Sequence, residues 1–297
     1  MIFTHVMAQD WGETVKAEYY LVFNVYNALT WLAVPVFVMI SGALFLNRDI
    51  PIHRLYSKYI LRITTAFVFW SAVYAARSYI KEGDALKAAE LFITGNYHLW
   101  FLPMIAGVYM VVPFMKKIAD SEILTKYFLV LSLVFAFIVP QFTKLVPIAE
   151  KFSGNLYMFF VMGYTGYFLL GYVLDRMTVS RRLEHAIYIA GILGVCVSVI
   201  EPSDRISVNI LCESAAVFVF FKKHFASEAA LVRRLSRYSF GVYLVHVAVL
   251  NAAVKYFHLL TIAPAAGIPL IAVIVFVISL AVSSLLNKFP ILNKYIV

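Results

Sequence analysis

Apolar stretches of about 20 residues recur along the whole chain, and they constrain its fold more than any other feature. An α-helix of about 20 residues crosses roughly 30 Å of hydrocarbon. Only 14% of the 297 residues are charged and 63% are hydrophobic, whereas a soluble domain carries about 25% charged residues. The sequence therefore predicts an all-α, polytopic membrane helix bundle that forms a single domain over 1–297. The predicted spans are 29–46, 58–79, 97–116, 123–140, 154–174, 184–200, 206–221, 238–256 and 265–287.

Lys and Arg residues are concentrated in alternate connections between these spans, and the positive-inside rule places those connections in the cytoplasm. The C-terminus lies on the same side, and this distribution explains the net charge of +9 without a nucleic acid partner. Nine spans then put the N-terminus outside. The segment 1–8 is predicted to be the outer end of a truncated first helix. The true start is expected upstream of Met1, the alternative being a protein that works without its first helix.

Other common site types are not predicted. Cys196 and Cys212 lie inside apolar runs, so they are interpreted as reduced packing residues and neither a disulfide nor a metal site is expected. The sequence has no nucleotide-binding glycine loop. The outer connections near 9–28 and 80–96 have room only for short amphipathic segments. Any chemistry must therefore use groups inside the bundle or at its edge.

Five ionisable side chains at membrane depth are the functional candidates, because each such group costs about 2.5–3.5 kcal/mol on insertion. His5 can take and return a proton near neutral pH. His98 is either an interfacial residue that binds lipid headgroups or a site residue, and His246 is either bonded to a neighbouring helix or a site residue. Glu213 must be protonated or paired, and a histidine partner would satisfy it. Arg62 is the fifth.

Lys58 and Arg62 are four residues apart, so on an α-helix they share one face where the span leaves the cytoplasm. Long basic side chains at such a position either snorkel to the interface as anchors or form a pair that binds phosphate. The sequence leaves both interpretations open.

Several stretches, taken together and in order along the chain, resemble acyltransferase family 3, a family of polytopic membrane O-acyltransferases. The likeness is strongest to the branch that contains the enterobacterial common antigen O-acetyltransferase. The matching segments are VPVFVMISGALFL (34–46), KYILRI (58–63) with FVFWSAVY (67–74), HLWFLPMIAGVYMVVP (98–113), GYTGYFLLGYVL (163–174) and LSRYSFGVYLVHVAVL (235–250).

The resemblance implies a ten-helix bundle in the bacterial inner membrane. Such an enzyme moves an acyl group, usually acetyl, from cytoplasmic acyl-CoA to a sugar hydroxyl of a cell-surface glycan or its lipid-linked precursor. Acyl-CoA is the donor substrate, and no bound cofactor is expected. The family's catalytic histidine maps onto His5, while the arginine ten residues before it would fall ahead of Met1. A carboxylate commonly orients a catalytic histidine, and Glu213 is expected to do so here.

Two further groups of residues are assigned on the same basis. The donor phosphates are expected to contact Arg54, Lys58 and Arg62 at the cytoplasmic mouth. The acceptor sugar is expected to contact His98, Trp100, Tyr243 and His246 on the outer side. Small residues are expected to permit close helix packing rather than to touch substrate, namely Ser41, Gly42, Gly163, Gly166 and Gly171.

Two other functions remain possible from the sequence. A transporter or flippase of glycan intermediates would use the same buried polar groups as a relay, and a truncated, inactive paralogue would have a structural role. A transporter is expected to contain inverted repeats with interrupted helices. The sequence has no such repeat, which favours the enzyme.

Overall fold

A computed structural model describes residues 1–143, 158–201, 204–225, 230–257 and 259–296, and these residues form helices with no β-strand among them. Two π-helical segments, Leu55–Ile60 and Leu133–Ile138, continue directly into α-helices, and Leu259–Thr261 is a 3₁₀ turn. The α-helices are α1 (Ile2–Met7), α2 (Glu13–Glu18), α3 (Tyr20–Trp31), α4 (Ala33–Leu46), α5 (Ile52–Arg54), α6 (Leu61–Glu82), α7 (Ala85–Thr94), α8 (Phe101–Met110), α9 (Val112–Ala119), α10 (Glu122–Ser132), α11 (Val139–Thr143), α12 (Met158–Arg176), α13 (Arg181–Ile200), α14 (Val208–His224), α15 (Ala230–Phe257), α16 (Pro264–Leu286) and α17 (Pro290–Tyr295).

Six helical segments of the described chain are long and apolar enough to cross a membrane, and a seventh is reached if α8 and α9 count as one bent span. Two other predicted spans coincide with helices of 19 residues in α12 and 17 residues in α14. The fold is thus all-helical and multi-pass, while the predicted number of nine spans is not confirmed. Residues 154–157, at the start of one predicted span, lie outside the described residues.

The first long helix begins earlier than the sequence predicts. The region near 9–28 was expected to hold only short segments, but α3 starts at Tyr20 and the apolar stretch runs on to Leu46. Asn24 lowers the apolar character of this region, yet its side-chain amide is buried and donates a hydrogen bond of 2.9 Å to the carbonyl of Val199. Because this bond satisfies the amide, the helix tolerates Asn24 inside the protein. In the other outer connection, the expected short segment is α7.

The described chain divides into two compact units. The first consists of Met1, Gly12–Asp49 and Val112–Ser227, and the second of Ile2–Trp11, Ile50–Val111 and Glu228–Val297. Each unit is built from segments that are distant in the sequence. The packing inside each unit therefore depends on close contacts between helices that sequence periodicity does not encode.

Glycines allow the closest helix contact of the first unit, between α4 and α12. A Cβ on Gly42 would lie 1.7 Å from the carbonyl oxygen of Phe168, and one on Gly171 would lie 2.0 Å from the carbonyl oxygen of Met39. No larger residue fits without separating the backbones. The expected packing role of these two glycines is therefore confirmed, as small residues at a membrane-helix interface predict.

The second unit places α1 against α15 and α16. Val6 is fully buried, and the indole nitrogen of Trp11 donates a hydrogen bond of 3.1 Å to its carbonyl oxygen. The same indole ring packs on Gly267, where a Cβ would lie 3.0 Å from the ring. These contacts tie the short N-terminal helix to the unit that contains α6, α8 and α15.

Local signals explain the turn that leads from α6 to α7. Gly83 ends α6 with a positive φ of 72°, a conformation that glycine adopts without steric cost. Asp84 then caps α7, since its carboxylate accepts a hydrogen bond of 3.0 Å from the backbone N–H of Lys87. The two helices can therefore fold back on one another within a few residues.

Candidate functional site

Three histidines from three separate segments of the second unit meet in one cluster. The ring centroids are 5.1 Å apart for His5 and His246, 5.4 Å for His98 and His246, and 6.2 Å for His5 and His98. We call His5, His98 and His246 the histidine cluster. The sequence made each a candidate because it is an ionisable residue predicted to lie at membrane depth, and the structure brings all three together.

His98 is the most enclosed member of the cluster. Its side chain is fully buried, so it does not face lipid headgroups and the interfacial interpretation is wrong. Neither ring nitrogen has a hydrogen-bond partner of normal geometry among the described residues. Burial disfavours the charged form of the imidazole. His98 is therefore neutral, with one N–H donor and one acceptor that both lack a partner.

A glycine turn places His98. Gly95 ends α7 with a φ of 77°, and a Cβ there would lie 2.8 Å from the Phe67 ring. Residues 97–100 then form a turn that leads into α8. This turn brings the His98 ring inward, while Tyr97 beside it stays 55% exposed and meets the His5 ring at 5.2 Å. The cluster is thus bordered by an exposed aromatic residue on the side of His5.

Tyr243 holds two of the histidines at once. Its hydroxyl donates a hydrogen bond of 2.5 Å to the backbone carbonyl of His98. Its own backbone carbonyl is 2.5 Å from Nδ1 of His246, which lies one turn further along α15. The other ring nitrogen of His246, Nε2, is buried and has no partner among the described residues. Tyr243 was predicted to touch the acceptor, and the structure shows it positioning the histidines.

Aromatic rings enclose the cluster. Tyr74 meets the His98 ring at 5.2 Å, and its hydroxyl donates a hydrogen bond of 3.2 Å to the carbonyl of Leu244. Phe101 packs edge-on against Tyr243 at 5.6 Å and against Trp100 at 6.3 Å. Trp100, a predicted acceptor contact, is therefore joined to the cluster through Phe101. Sequence reasoning missed Tyr74, although its position deep in an apolar span was an available signal.

The three basic residues predicted to bind the donor lie in the same unit, near the start of α6. Arg54 and Lys58 are exposed, whereas Arg62 is half-buried and its guanidinium lies 5.2 Å from the centre of the Phe240 ring. Lys58 belongs to the π-helical segment Leu55–Ile60, in which hydrogen bonds span five residues rather than four. The α-helical spacing that predicts one shared face for Lys58 and Arg62 therefore does not hold there.

Glu213 belongs to the first unit and has a partner of its own. Its carboxylate accepts a hydrogen bond of 2.5 Å from the hydroxyl of Ser198, and that hydroxyl accepts one of 2.6 Å from the amide of Asn209. A serine thus stands where the sequence predicts a histidine. The reason is close packing of α13 on α14, since a Cβ on Gly194 would lie 2.7 Å from the carbonyl oxygen of Asn209.

An apolar groove of about 620 Å³ lies beside Glu213 in the first unit. Leu29, Ile192 and Val217 are among its lining residues, and Glu184 and His224 line it as well. Glu184 forms an ion pair with Lys223. The second acidic residue of this lining, Glu213, is bonded to Ser198 through one carboxylate oxygen.

The many apolar helices and the histidine cluster, two of whose members are fully buried, define a multi-pass membrane protein with an internal polar site. The model of an acyltransferase domain matches residues 1–288, and the chain belongs to that family, acyltransferase family 3. No curated protein and no solved structure matches the chain. The protein is therefore a membrane acyltransferase by family and by architecture.

Proposed function

We propose that the protein is an O-acyltransferase of the bacterial inner membrane, with its C-terminus in the cytoplasm. It transfers an acetyl group from cytoplasmic acetyl-CoA to a hydroxyl of a cell-surface glycan or its lipid-linked precursor. The single observation that carries this proposal is the histidine cluster with its three orphaned ring nitrogens. The family match supports acyl transfer, and the cluster supplies the groups that such a transfer needs.

Orphaned polar atoms argue for a ligand. A buried donor or acceptor without a partner costs about 1–3 kcal/mol, and three such nitrogens lie on His98 and His246. A hydroxyl both donates and accepts hydrogen bonds, so a sugar hydroxyl could satisfy several of them together. General acid–base catalysis by a positioned histidine contributes about 10²–10⁴-fold to such reactions.

Most of the predicted site residues have a place in this proposal. His5 acts directly on the reacting groups, either as general base or as the residue that first carries the acyl group. His98 and His246 contact the acceptor hydroxyl, and Trp100 stacks on the sugar at the edge of the cluster. The donor phosphates contact the basic residues at the start of α6. Those residues are Arg54, Lys58 and Arg62.

Glu213 has no part in the proposed reaction. Its carboxylate already accepts a hydrogen bond from Ser198, and its role beside His5 stays a prediction from the sequence.

Ester-linked acetyl on cell-surface glycans is the measurement that tests the proposal. A deletion strain is complemented with the wild-type chain, with His5→Ala or with His224→Ala. His224 is the matched control because it is an exposed histidine at the end of α14. We expect base-labile acetyl with the wild type and the control, and background levels with His5→Ala. Equal acetyl in all strains with altered glycan export would favour the transporter instead.

A further inference from the structure

We infer that His246 is the general base that deprotonates the acceptor hydroxyl, and that His5 carries the acyl group. This inference rests on the proposed function and divides its chemistry between two residues. It starts from one hydrogen bond, between Nδ1 of His246 and the backbone carbonyl of Tyr243.

That bond sets the tautomer of His246. A carbonyl oxygen can only accept a hydrogen bond, so Nδ1 must carry the proton and donate it. In a neutral imidazole the other nitrogen, Nε2, is then an unprotonated acceptor. Nε2 is fully buried and has no partner among the described residues. His246 is thus a base with a fixed orientation and a free lone pair, as a histidine held by a third group is in other acyl-transfer enzymes.

The position of His246 fits this role. Its ring lies 5.1 Å from the His5 ring and 5.4 Å from the His98 ring, centre to centre. A general base must come within about 2.6–3.2 Å of the oxygen it deprotonates. One hydroxyl oxygen placed between these rings can meet that requirement for His246 and still lie beside an acyl group on His5.

The other two histidines are less suited to take the proton. His98 has no hydrogen bond that fixes which ring nitrogen is unprotonated, because neither nitrogen has a partner of normal geometry among the described residues. Its two nitrogens are better placed to hold the acceptor hydroxyl. His5 is half-buried on the short helix α1, and its ring contacts both Tyr97 and His246. It is the member of the cluster most open to an incoming thioester.

The reaction then has two balanced steps. In the first, a ring nitrogen of His5 forms a bond to the thioester carbonyl carbon, the carbon–sulfur bond breaks with its electron pair on sulfur, and the ring proton of His5 moves to sulfur, which releases the CoA thiol. In the second, the acceptor oxygen bonds to the acyl carbon while His246 Nε2 takes the hydroxyl proton. The carbon–nitrogen bond breaks with its pair on His5, and His246 returns the proton to that nitrogen.

The two steps are tested separately with purified full-length protein. Thiol release from acetyl-CoA without any acceptor reports the first step. Transfer of labelled acetyl to membranes from the deletion strain, which supply the native acceptor, reports the whole reaction. The variants are His246→Gln, His246→Gly, His5→Ala and the control His224→Ala. Glutamine keeps an N–H that can bond the Tyr243 carbonyl, but it cannot accept a proton.

We expect the wild type and His224→Ala to release about one thiol per protein before acceptor is added. His246→Gln is expected to keep this release and to lose transfer by at least about 100-fold, whereas His5→Ala loses both. Added imidazole is expected to restore part of the transfer in His246→Gly, which a purely structural role would not predict. His246→Gly therefore distinguishes loss of the base from loss of the folded structure.

Three results would overturn the inference. Transfer by His246→Gln at the wild-type rate would show that another group is the base. Absence of thiol release by the wild type without acceptor, alongside normal transfer, would show that His5 carries no acyl group. Loss of transfer in both His246→Gln and His246→Gly, with no rescue of His246→Gly by imidazole, would assign His246 to structure. If the wild type transfers no acetyl at all, the proposed function itself fails.

Discussion

Buried polar groups occur in both units of the protein, but the two units differ in how many of these groups have hydrogen-bond partners. In the first unit, one oxygen of the Glu213 carboxylate, the Ser198 hydroxyl and the Asn209 amide bond to one another in a chain, and only the second carboxylate oxygen of this group of three side chains lacks a partner among the described residues. In the second unit, three ring nitrogens of the histidine cluster have no partner in the part of the chain that the structure describes. Hydrogen bonds between protein side chains specify packing, whereas orphaned groups retain hydrogen-bonding capacity for a ligand, and the histidine cluster has more of the latter.

The glycines reinforce this difference. Gly191 and Gly194 bring α13 so close to α14 that a Cβ on Gly191 would lie 2.4 Å from Ala216. The Glu213 network is thus closed by tight helix packing. The histidine cluster is instead bordered by rings that meet edge to face, and one of them, Tyr97, is largely exposed. One region is therefore built for stability and the other for access.

The largest effect is expected from removing an orphaned histidine. His98→Phe keeps a buried ring but removes both unpaired nitrogens. Each of the two lost hydrogen bonds to the acceptor is worth about 0.5–1.5 kcal/mol, so acetyl transfer should fall by roughly 5–150-fold. Thermal stability in detergent should stay the same or rise, since the ring's unpaired polar atoms are gone. A large drop in melting temperature would contradict the comparison, because it would make His98 structural.

Ser198→Ala should show the opposite behaviour. It leaves both oxygens of the Glu213 carboxyl group without a partner, so the free energy of unfolding should fall by about 1–3 kcal/mol. Acetyl transfer per folded molecule should not change. Denaturation in detergent measures the first quantity, and Ser239→Ala, an exposed serine on α15, is the matched control. Reduced transfer per folded molecule would join this network to the reaction.

The sequence predicted the helical scaffold well, because an apolar window of about 20 residues needs no knowledge of its neighbours. It missed the start of α3 at Tyr20, where the Asn24 amide is satisfied by a carbonyl 175 positions away. His5, His98 and His246 were each recognised as expensive groups in a membrane. That the three rings form one cluster could not be predicted, because it depends on packing between distant segments. For the same reason the sequence predicted a histidine beside Glu213, where the structure has Ser198.

Tyr243→Phe should have a smaller effect than the two changes above. It removes the hydroxyl that donates to the His98 carbonyl but leaves the backbone carbonyl that holds His246. The free energy of unfolding should fall by about 0.5–1.5 kcal/mol. The turn that carries His98 loses one hydrogen bond but keeps the histidine itself, so transfer should fall by less than in His98→Phe. A loss of transfer as large as that of His246→Gln would give the Tyr243 hydroxyl a direct role in the reaction.

Glu213→Gln should have the smallest effect and provides the sharpest test of the comparison. The amide oxygen of glutamine can still accept the hydrogen bond from Ser198, and the side chain keeps its shape between α13 and α14. Unfolding free energy should therefore change by no more than about 0.5 kcal/mol, and acetyl transfer should be close to that of the wild type. The sequence-based role predicts otherwise, because a carboxylate that orients a catalytic histidine cannot be replaced by an amide without a loss of several orders of magnitude. Measuring transfer by Glu213→Gln beside Ser198→Ala decides between them. Normal transfer in both keeps Glu213 a packing residue, and a loss confined to Glu213→Gln would assign its charge to the reaction.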